Sequence, residues 1–449
     1  MKRTIFFSII VVFLLLICSC GADTPIQTTD GESASVQAPG ESEMDTGAIE
    51  TEDEAEKLTV IFGGQSEYKL IVPEGTDAAR SLVFSAFSNQ LCERFSCSIK
   101  SEFDLMAMLK PSKADAKEII IGDTAKEESK ALAGKLVSKG GNCFGILVVD
   151  NKIVINGTSW YQCYLALDYF LEQFSSVDEN GVPMLAIESG YEYISEQSED
   201  KIFDLAELVK EGREFSFFAT DRVIYFESRN GASTTQGGCT DGKYIYVGLM
   251  GTESGLGDYG VISKYDLATG ELVAYSEKLP LYHTNDITYD SKNDRLVVAT
   301  LDAGWTRLAI VDPNTLEYLG DLIAPVGIRG LEYIAETNTY IAASFYLEIM
   351  VLDENFNKIS SHVCEDQTLM TQGLYSDGQF VYDPRYLSGK SVHLLVLEDM
   401  NGNLIASADI YGLAAAEPEH FFTLNGKMYL GCNHADSLFE LQVIPKDLW

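Results

Sequence analysis

The chain has 449 residues, 46% hydrophobic and 22% charged, with 68 Asp and Glu against 32 Lys and Arg. That length suggests two or three domains, and the composition excludes a collagenous or wholly disordered protein. A formal charge of −36 argues against a nucleic-acid partner held by bulk electrostatics, because phosphate binding needs clustered basic side chains.

Residues 1–19 read as a signal peptide. Lys2 and Arg3 precede an apolar run from Ile5 to Cys18, long enough for a signal core and too short to span a bilayer. The run ends in Ile17-Cys18-Ser19-Cys20-Gly21, which resembles a bacterial lipobox. The resemblance implies that Cys20 carries lipid after cleavage; Cys18 fits less well, because bulky Ile17 precedes it. Two or three acyl chains anchor a protein stably where one holds it marginally. The expected location is therefore the extracytoplasmic face of a cell membrane, lipid-anchored.

Residues 20–57 form an acidic linker. Positions 21–56 hold eleven acidic residues and no Lys or Arg, so they bury too little apolar surface to offset chain entropy. A solvated stalk is the expectation.

Residues 58–195 mix strand and helix periods and suggest a small α/β domain. Leu58–Phe62, Tyr68–Val72, Glu118–Ile121, Phe144–Val149 and Ile153–Ile155 read as strands. Asp77–Phe95, Glu127–Ser138 and Trp160–Phe174 read as helices, the first with Ala79, Val83, Phe87 and Leu91 on one face. The runs EIIIGDT (Glu118 to Thr124) and CFGILVVDNKIVINGTSWYQCYLALDYFLEQF (Cys143 to Phe174) resemble the accessory α/β domain that precedes the catalytic barrel in alpha-glucuronidase and hexosaminidase-type glycosidases. That resemblance implies a carbohydrate context and no catalytic residues in this region.

Residues 196–214 read as a linker, and residues 215–449 as repeats. TQGGCTDGKYIYV (Thr235 to Val247), TQGLYSDGQFVYD (Thr371 to Asp383) and HFFTLNGKMYLGC (His420 to Cys432) share one frame, with diverged copies from Thr284 and Ile328. Starts at Gln236, Asn285, Arg329, Gln372 and Glu419 are 49, 44, 43 and 47 residues apart. Asp241-Gly242, Asp377-Gly378 and Asn425-Gly426 are two-residue hairpin turns. Four short strands per copy make the blade of a β-propeller. The expected fold is thus α+β and all-β multidomain: a small α/β domain followed by a five-bladed propeller. Phe215–Phe226 is available to complete the last copy from the other end of the repeat region. Six blades with a degenerate copy, or an open sandwich, are the alternatives.

Propeller geometry sets Gln236, Asn285, Arg329, Gln372 and Glu419 around the axis. Variable loops add Glu253, Asp258, Tyr259, Trp305, Arg307, Tyr346, Arg385, Tyr386, Lys390, Asn433, His434 and Asp436. Amides, one Arg, one carboxylate and a rim with Trp305, Tyr259 and Tyr386 suit a glycan, cell-wall component or peptide. The competing reading is that the five polar residues only line a water-filled channel. Glycosidic catalysis normally needs two carboxyl groups. Glu419 is one; Asp258 or Asp436 would have to reach it from a loop, so binding is favoured over catalysis. An envelope assembly factor acting through protein–protein contacts is a further reading. Five scattered histidines give no metal spacing, and no nucleotide or nucleophile fingerprint is present, so no cofactor or metal is expected. Once Cys18 and Cys20 are set aside, the seven remaining cysteines suggest no disulfide framework, with Cys92–Cys97 left open.

Overall fold

The computed structural model describes residues 56–448, apart from 75–77, 105–112, 114, 255–256, 302–305, 347, 365–369, 388–391 and 414–415. The signal peptide, Cys20, nearly all of the acidic stretch, Trp305 and Lys390 fall outside the described residues. From Ala55 onward the chain clusters as one compact unit.

In chain order the first region holds β1 (Lys57–Phe62), β2 (Lys69–Val72), α1 (Ala78–Phe95), β3 (Lys100–Phe103), β4 (Glu118–Ile121), α2 (Glu127–Lys139), β5 (Phe144–Val149), β6 (Lys152–Gly157), α3 (Trp160–Phe174), β7 (Ser175–Val177), β8 (Pro183–Glu188) and β9 (Glu192–Ile194). Six strands make one mixed sheet in the order β3-β2-β4-β6-β5-β9. Its centre reads as unbroken apolar runs because both faces are covered. Ile119, Ile121, Ile153 and Ile155 meet α1 and α3 through Val83, Phe87, Ala166 and Phe170. Alternation turns Ile120 and Val154 to the other face, onto Leu132 and Leu136 of α2. A small sheet, β1-β8-β7, adds Val60, Ile61, Leu185 and Ile187 to the first layer. Ser159 caps α3 by accepting from the Gln162 amide at 3.1 Å.

The expected linker at 196–214 contains a helix, α4 (Leu205–Glu211). Asp204 accepts from the Glu207 amide at 2.9 Å, and Gly212 ends the helix in the left-handed region at φ 67. Leu205 and Leu208 pack with Phe380, Leu395 and Phe421. One helical turn of spacing was too short a signal to separate from a linker.

The repeats then follow β10 (Phe215–Tyr225). They comprise β11 (Thr234–Thr240), β12 (Tyr244–Glu253), β13 (Gly257–Asp266) and β14 (Leu272–Tyr275); β15 (Asp286–Asp290), β16 (Arg295–Ala299), β17 (Arg307–Val311) and β18 (Tyr318–Ile323); and β19 (Ile328–Ile334), β20 (Thr339–Ser344), β21 (Glu348–Leu352) and β22 (Lys358–Val363). The last copies are β23 (Met370–Thr371), β24 (Tyr375–Ser376), β25 (Phe380–Leu387), β26 (Val392–Asp399) and β27 (Leu404–Tyr411), then β28 (Glu417–Leu424), β29 (Lys427–Asn433) and β30 (Ser437–Pro445).

The first three copies are separate four-stranded antiparallel sheets. In the last copy, β10 pairs antiparallel with β30, from Phe215↔Pro445 to Tyr225↔Ser437. The strand before the repeats thereby completes the sheet at their end. β10 also pairs parallel with β27 through Phe217↔Ile410 and Phe218↔Tyr411, joining the last two copies into one nine-stranded sheet. First strands adjoin one another in a closed cycle, β11 to β15 to β19 to β24 to β28 and back to β11. This is β-propeller architecture.

Turn chemistry explains why the repeats remain legible. Asp241 accepts from the Lys243 and Tyr244 amides and from the Tyr246 hydroxyl. Asp377 accepts from the Gln379 and Phe380 amides and from the Tyr382 hydroxyl. Each aspartate closes its own turn and fixes a tyrosine two strand positions on.

Candidate functional site

Four of the five equivalent starts are interlinked at the propeller axis. The Asn285 side-chain amide donates to the carbonyls of Arg329 at 2.8 Å and Gln372 at 3.1 Å, so it staples three copies together. The Gln372 amide donates to Glu417 Oε1. Glu419 is hydrogen-bonded by Asn433 and feels the charges of Arg329 and Glu417. Gln236 sits on the neighbouring copy, where its carbonyl meets His420 Nδ1 at 3.0 Å. Its side-chain amide donates back to the Thr235 carbonyl at 2.9 Å. All five are buried.

One position further along each first strand stand Gly237, Asp286, Gly330, Gly373 and His420. The strands converge here so closely that a Cβ on Gly237 would lie 2.2 Å from the Asp286 Cα, and one on Gly373 2.5 Å from the Glu419 carbonyl. Asp286 uses this closeness. Its carboxylate accepts from the amides of Ile287 at 2.9 Å, Leu331 at 2.7 Å and Leu374 at 3.0 Å. Its side chain therefore stitches its own copy to two others. Burial pushes this carboxyl well above its usual range, and the three amides pull it back.

Electrostatics at the ring are dominated by desolvation. Burial raises Glu419 well above the ordinary glutamate value, Glu417 adds repulsion, and Asn433 and Arg329 oppose. Burial also raises Glu417, against His434, Gln372 and Arg329. The Arg329 guanidinium is pushed down by burial, while Glu419, Asp383 and Glu417 hold it charged. His283 is lowered by burial and by Arg329, with Asn285 and Asp258 opposing. Glu417 was missed in the sequence because it precedes the repeat frame, and a register shift in β28 between Pro418 and His420 hides its relation to Glu419.

Several rim assignments are corrected. Tyr259 is buried among Ile224, Phe226 and Val261, its hydroxyl donating to the Asn230 carbonyl at 3.0 Å; it is core, because β13 runs further than a short loop would allow. Arg385 is fully buried, and its Nε donates to Asp383 at 2.7 Å. Asp258 accepts from Thr252 at 2.8 Å and Asp436 from Thr235 at 3.0 Å, and the carboxylate acting most strongly on Glu419 is Glu417, on its own strand. Glu253 pairs with Lys278, and Arg307 with Asp321.

Tyr386 stacks on His393, with centroids 5.5 Å apart, and faces Met370 across the strand pair. Met370 in turn accepts from Arg329 at 3.5 Å. The Arg329 guanidinium also lies over the Phe345 ring at 5.6 Å. Exposed Tyr346 stands edge-on to Phe345. Around Arg329 the rim is therefore Phe345, Tyr346 and Met370. Among the described residues no three His, Cys, Asp or Glu side chains converge on a metal position, and all seven described cysteines are unbridged.

No protein-family model matches the sequence, and no curated protein matches it either. Among solved structures, the chain is similar to Myxococcus xanthus glutaminyl cyclase at 14% identity and TM-score 0.38, over 51% of this chain and 98% of that one. It is similar to the β-propeller domain of Cps50 (Swd1) from Myceliophteria thermophila at 13% identity and TM-score 0.28, over 48% and 64%. A Bacteroides caccae protein of unknown function aligns at 13% identity and TM-score 0.32, over 60% and 94%.

Proposed function

We propose that the closed cycle of sheets is a five-bladed propeller whose axial mouth binds a compact polyhydroxylated ligand, a glycan or cell-wall fragment. We further propose that lipid on Cys20 holds the protein at the outer face of a cell membrane, with the acidic stretch as stalk. The observation carrying the binding reading is unfilled hydrogen-bonding capacity beside the ring. Gln236 Oε1 and Arg329 Nε are buried without a partner among the described residues. Buried polar groups are normally satisfied, and a water-lined channel would leave these two to solvent. A ligand hydroxyl both accepts and donates, and would serve either atom. Exposed Phe345 and Tyr346 offer faces for apolar C–H surface. The likeness of residues 118–174 to a glycosidase accessory domain agrees with a carbohydrate ligand.

Catalysis is the second reading, favoured by the Glu417–Glu419 pair. Both carboxyls are raised, which supplies an acid but weakens the ionised base or nucleophile that glycosidic cleavage also needs. Binding is therefore preferred.

The test is a glycan and cell-wall array on the full chain in detergent, beside an Arg329→Ala/Gln372→Ala variant with its fold checked by circular dichroism. Wild-type binding lost in the variant is expected. Binding indifferent to both residues overturns the axial site, and palmitate labelling that persists in Cys20→Ala overturns the anchor.

A further inference from the structure

The donors and acceptors at the axial mouth are unequally engaged. Every side-chain amide of the ring already donates within the protein: Gln236 to Thr235, Asn285 to Arg329 and Gln372, and Gln372 to Glu417. What the ring leaves unfilled is mainly acceptor capacity. Gln236 Oε1 is buried and unpartnered. Glu417 and Glu419, two positions apart on β28, stand close enough to repel each other. Arg329 is the permanent cation acting on both, and part of its capacity goes to the Met370 sulfur and the Phe345 face. Glu417 is only half-buried, so a ligand entering the mouth reaches it before Glu419.

A group that fills this arrangement must donate several hydrogen bonds and bring positive charge. A primary ammonium does both, with three donors and no acceptor. The surroundings fit a compact ring better than an extended chain. Strand starts at the mouth pair their backbone groups within the propeller, such as Gln372 N with the Pro384 carbonyl and Asn285 N with the Ala299 carbonyl, which disfavours strand addition by a peptide backbone there.

We infer that the ligand of the axial mouth is a sugar carrying a free primary amine, bound through Glu417 with Glu419 and Gln236 Oε1 behind it. This rests on the glycan-binding reading above and narrows it to amino sugars that are not N-acylated. The hydroxyls of the same ring supply the acceptor that Arg329 Nε lacks.

The experiment compares glucosamine trisaccharide with its fully N-acetylated form, by calorimetry on the full chain in detergent. Salt of about 0.3 M screens the general attraction of a cationic sugar to an acidic protein. A charge-assisted hydrogen bond changes affinity about tenfold or more. The free amine is therefore expected to bind about tenfold tighter, and Glu417→Gln is expected to remove that preference, so that the two sugars bind alike. Equal or tighter binding of the acetylated sugar, sensitive to Arg329→Ala, overturns the amine inference and leaves the glycan reading standing. A preference that survives Glu417→Gln overturns it as well. Silence of both sugars beside binding of a free-amine tripeptide overturns both readings and gives the pocket to a peptide terminus.

Discussion

The first three repeat sheets and the last two are built from the same pattern and finished differently. In the first three, the outer strands β14, β18 and β22 end in open edges. They expose Val273, Tyr275, Leu319, Ile323, Ile359 and Val363. In the last two, β27 and β10 pair with each other, and Phe217, Phe218 and Ile410 are buried. The α/β region packs there as well. Ala79 meets Phe218 and Ile444, Phe218 stacks on Tyr411 at 5.2 Å, and Trp160 Nε1 donates to Gln442 at 3.0 Å. Apolar burial is concentrated where the ring must close, and the open sheets rely on their neighbours alone.

The largest effect should come from the closing strand. Removing a buried phenyl ring typically costs about 3–5 kcal/mol, so Phe217→Ala should lower the urea midpoint sharply. Val273→Ala, on the open edge of β14, should change stability by less than about 0.5 kcal/mol. Comparable losses at the two positions would break the contrast.

A second prediction compares two buried Asp–Arg pairs, one from each half. Asp290 of β15 pairs with Arg295 at 2.7 Å. Burial alone would raise it, but hydrogen bonds from Tyr340, Asn293 and Arg295 hold it below the usual aspartate value. Asp383 of β25 pairs with Arg385 at 2.7 Å, yet burial dominates and pushes it up to about 6. The signs are opposite. Asp383 binds its proton more tightly folded than unfolded, so its contribution falls as pH rises from about 4 to about 6. Asp290 contributes above about pH 4, and that contribution disappears on acidification through its lowered folded value. Relative to Asp383→Asn, the wild type should gain about 1 kcal/mol between pH 7 and 5. Relative to Asp290→Asn, the wild type should lose stability only at more acid pH. Melting curves of the three proteins across this range check both, and parallel curves for wild type and Asp383→Asn would refute the first.

The smallest effect concerns the open edges. Ile323→Lys and Val363→Lys, on exposed positions of β18 and β22, should alter the melting midpoint little, within about 0.5 kcal/mol. They should reduce self-association, because charge on an outer strand discourages edge pairing; light scattering would register the change.

Much of this architecture is visible in the amino-acid order, for local reasons. Asp241 and Asp377 each satisfy amides within three residues, so the turns write themselves into the repeat. The strand period exposes both faces of the mixed sheet through Ile119–Ile121 and Ile153–Ile155. Illegible features depend on distant partners. Nothing near Asp286 announces the amides of Leu331 and Leu374, 45 and 88 residues away. Glu417 and Glu419 look like ordinary strand neighbours until Gln372 and Arg329 from distant copies meet them. Tyr259 and Arg385 have the composition of a binding rim, and only packing shows them to be core.

The pairing of β10 with β30 also orders events in time. A ribosome adds roughly 5–20 residues each second, so the strand containing Phe217 exists for on the order of ten seconds or more before its partner around Val443 is made. By then the α/β region has already been synthesised, and its Ala79 and Trp160 offer Phe218 native apolar contact before Tyr411 and Ile444 are made. The nascent chain thus carries an early shelter for its closing strand, and the ring shuts only when its last sheet arrives.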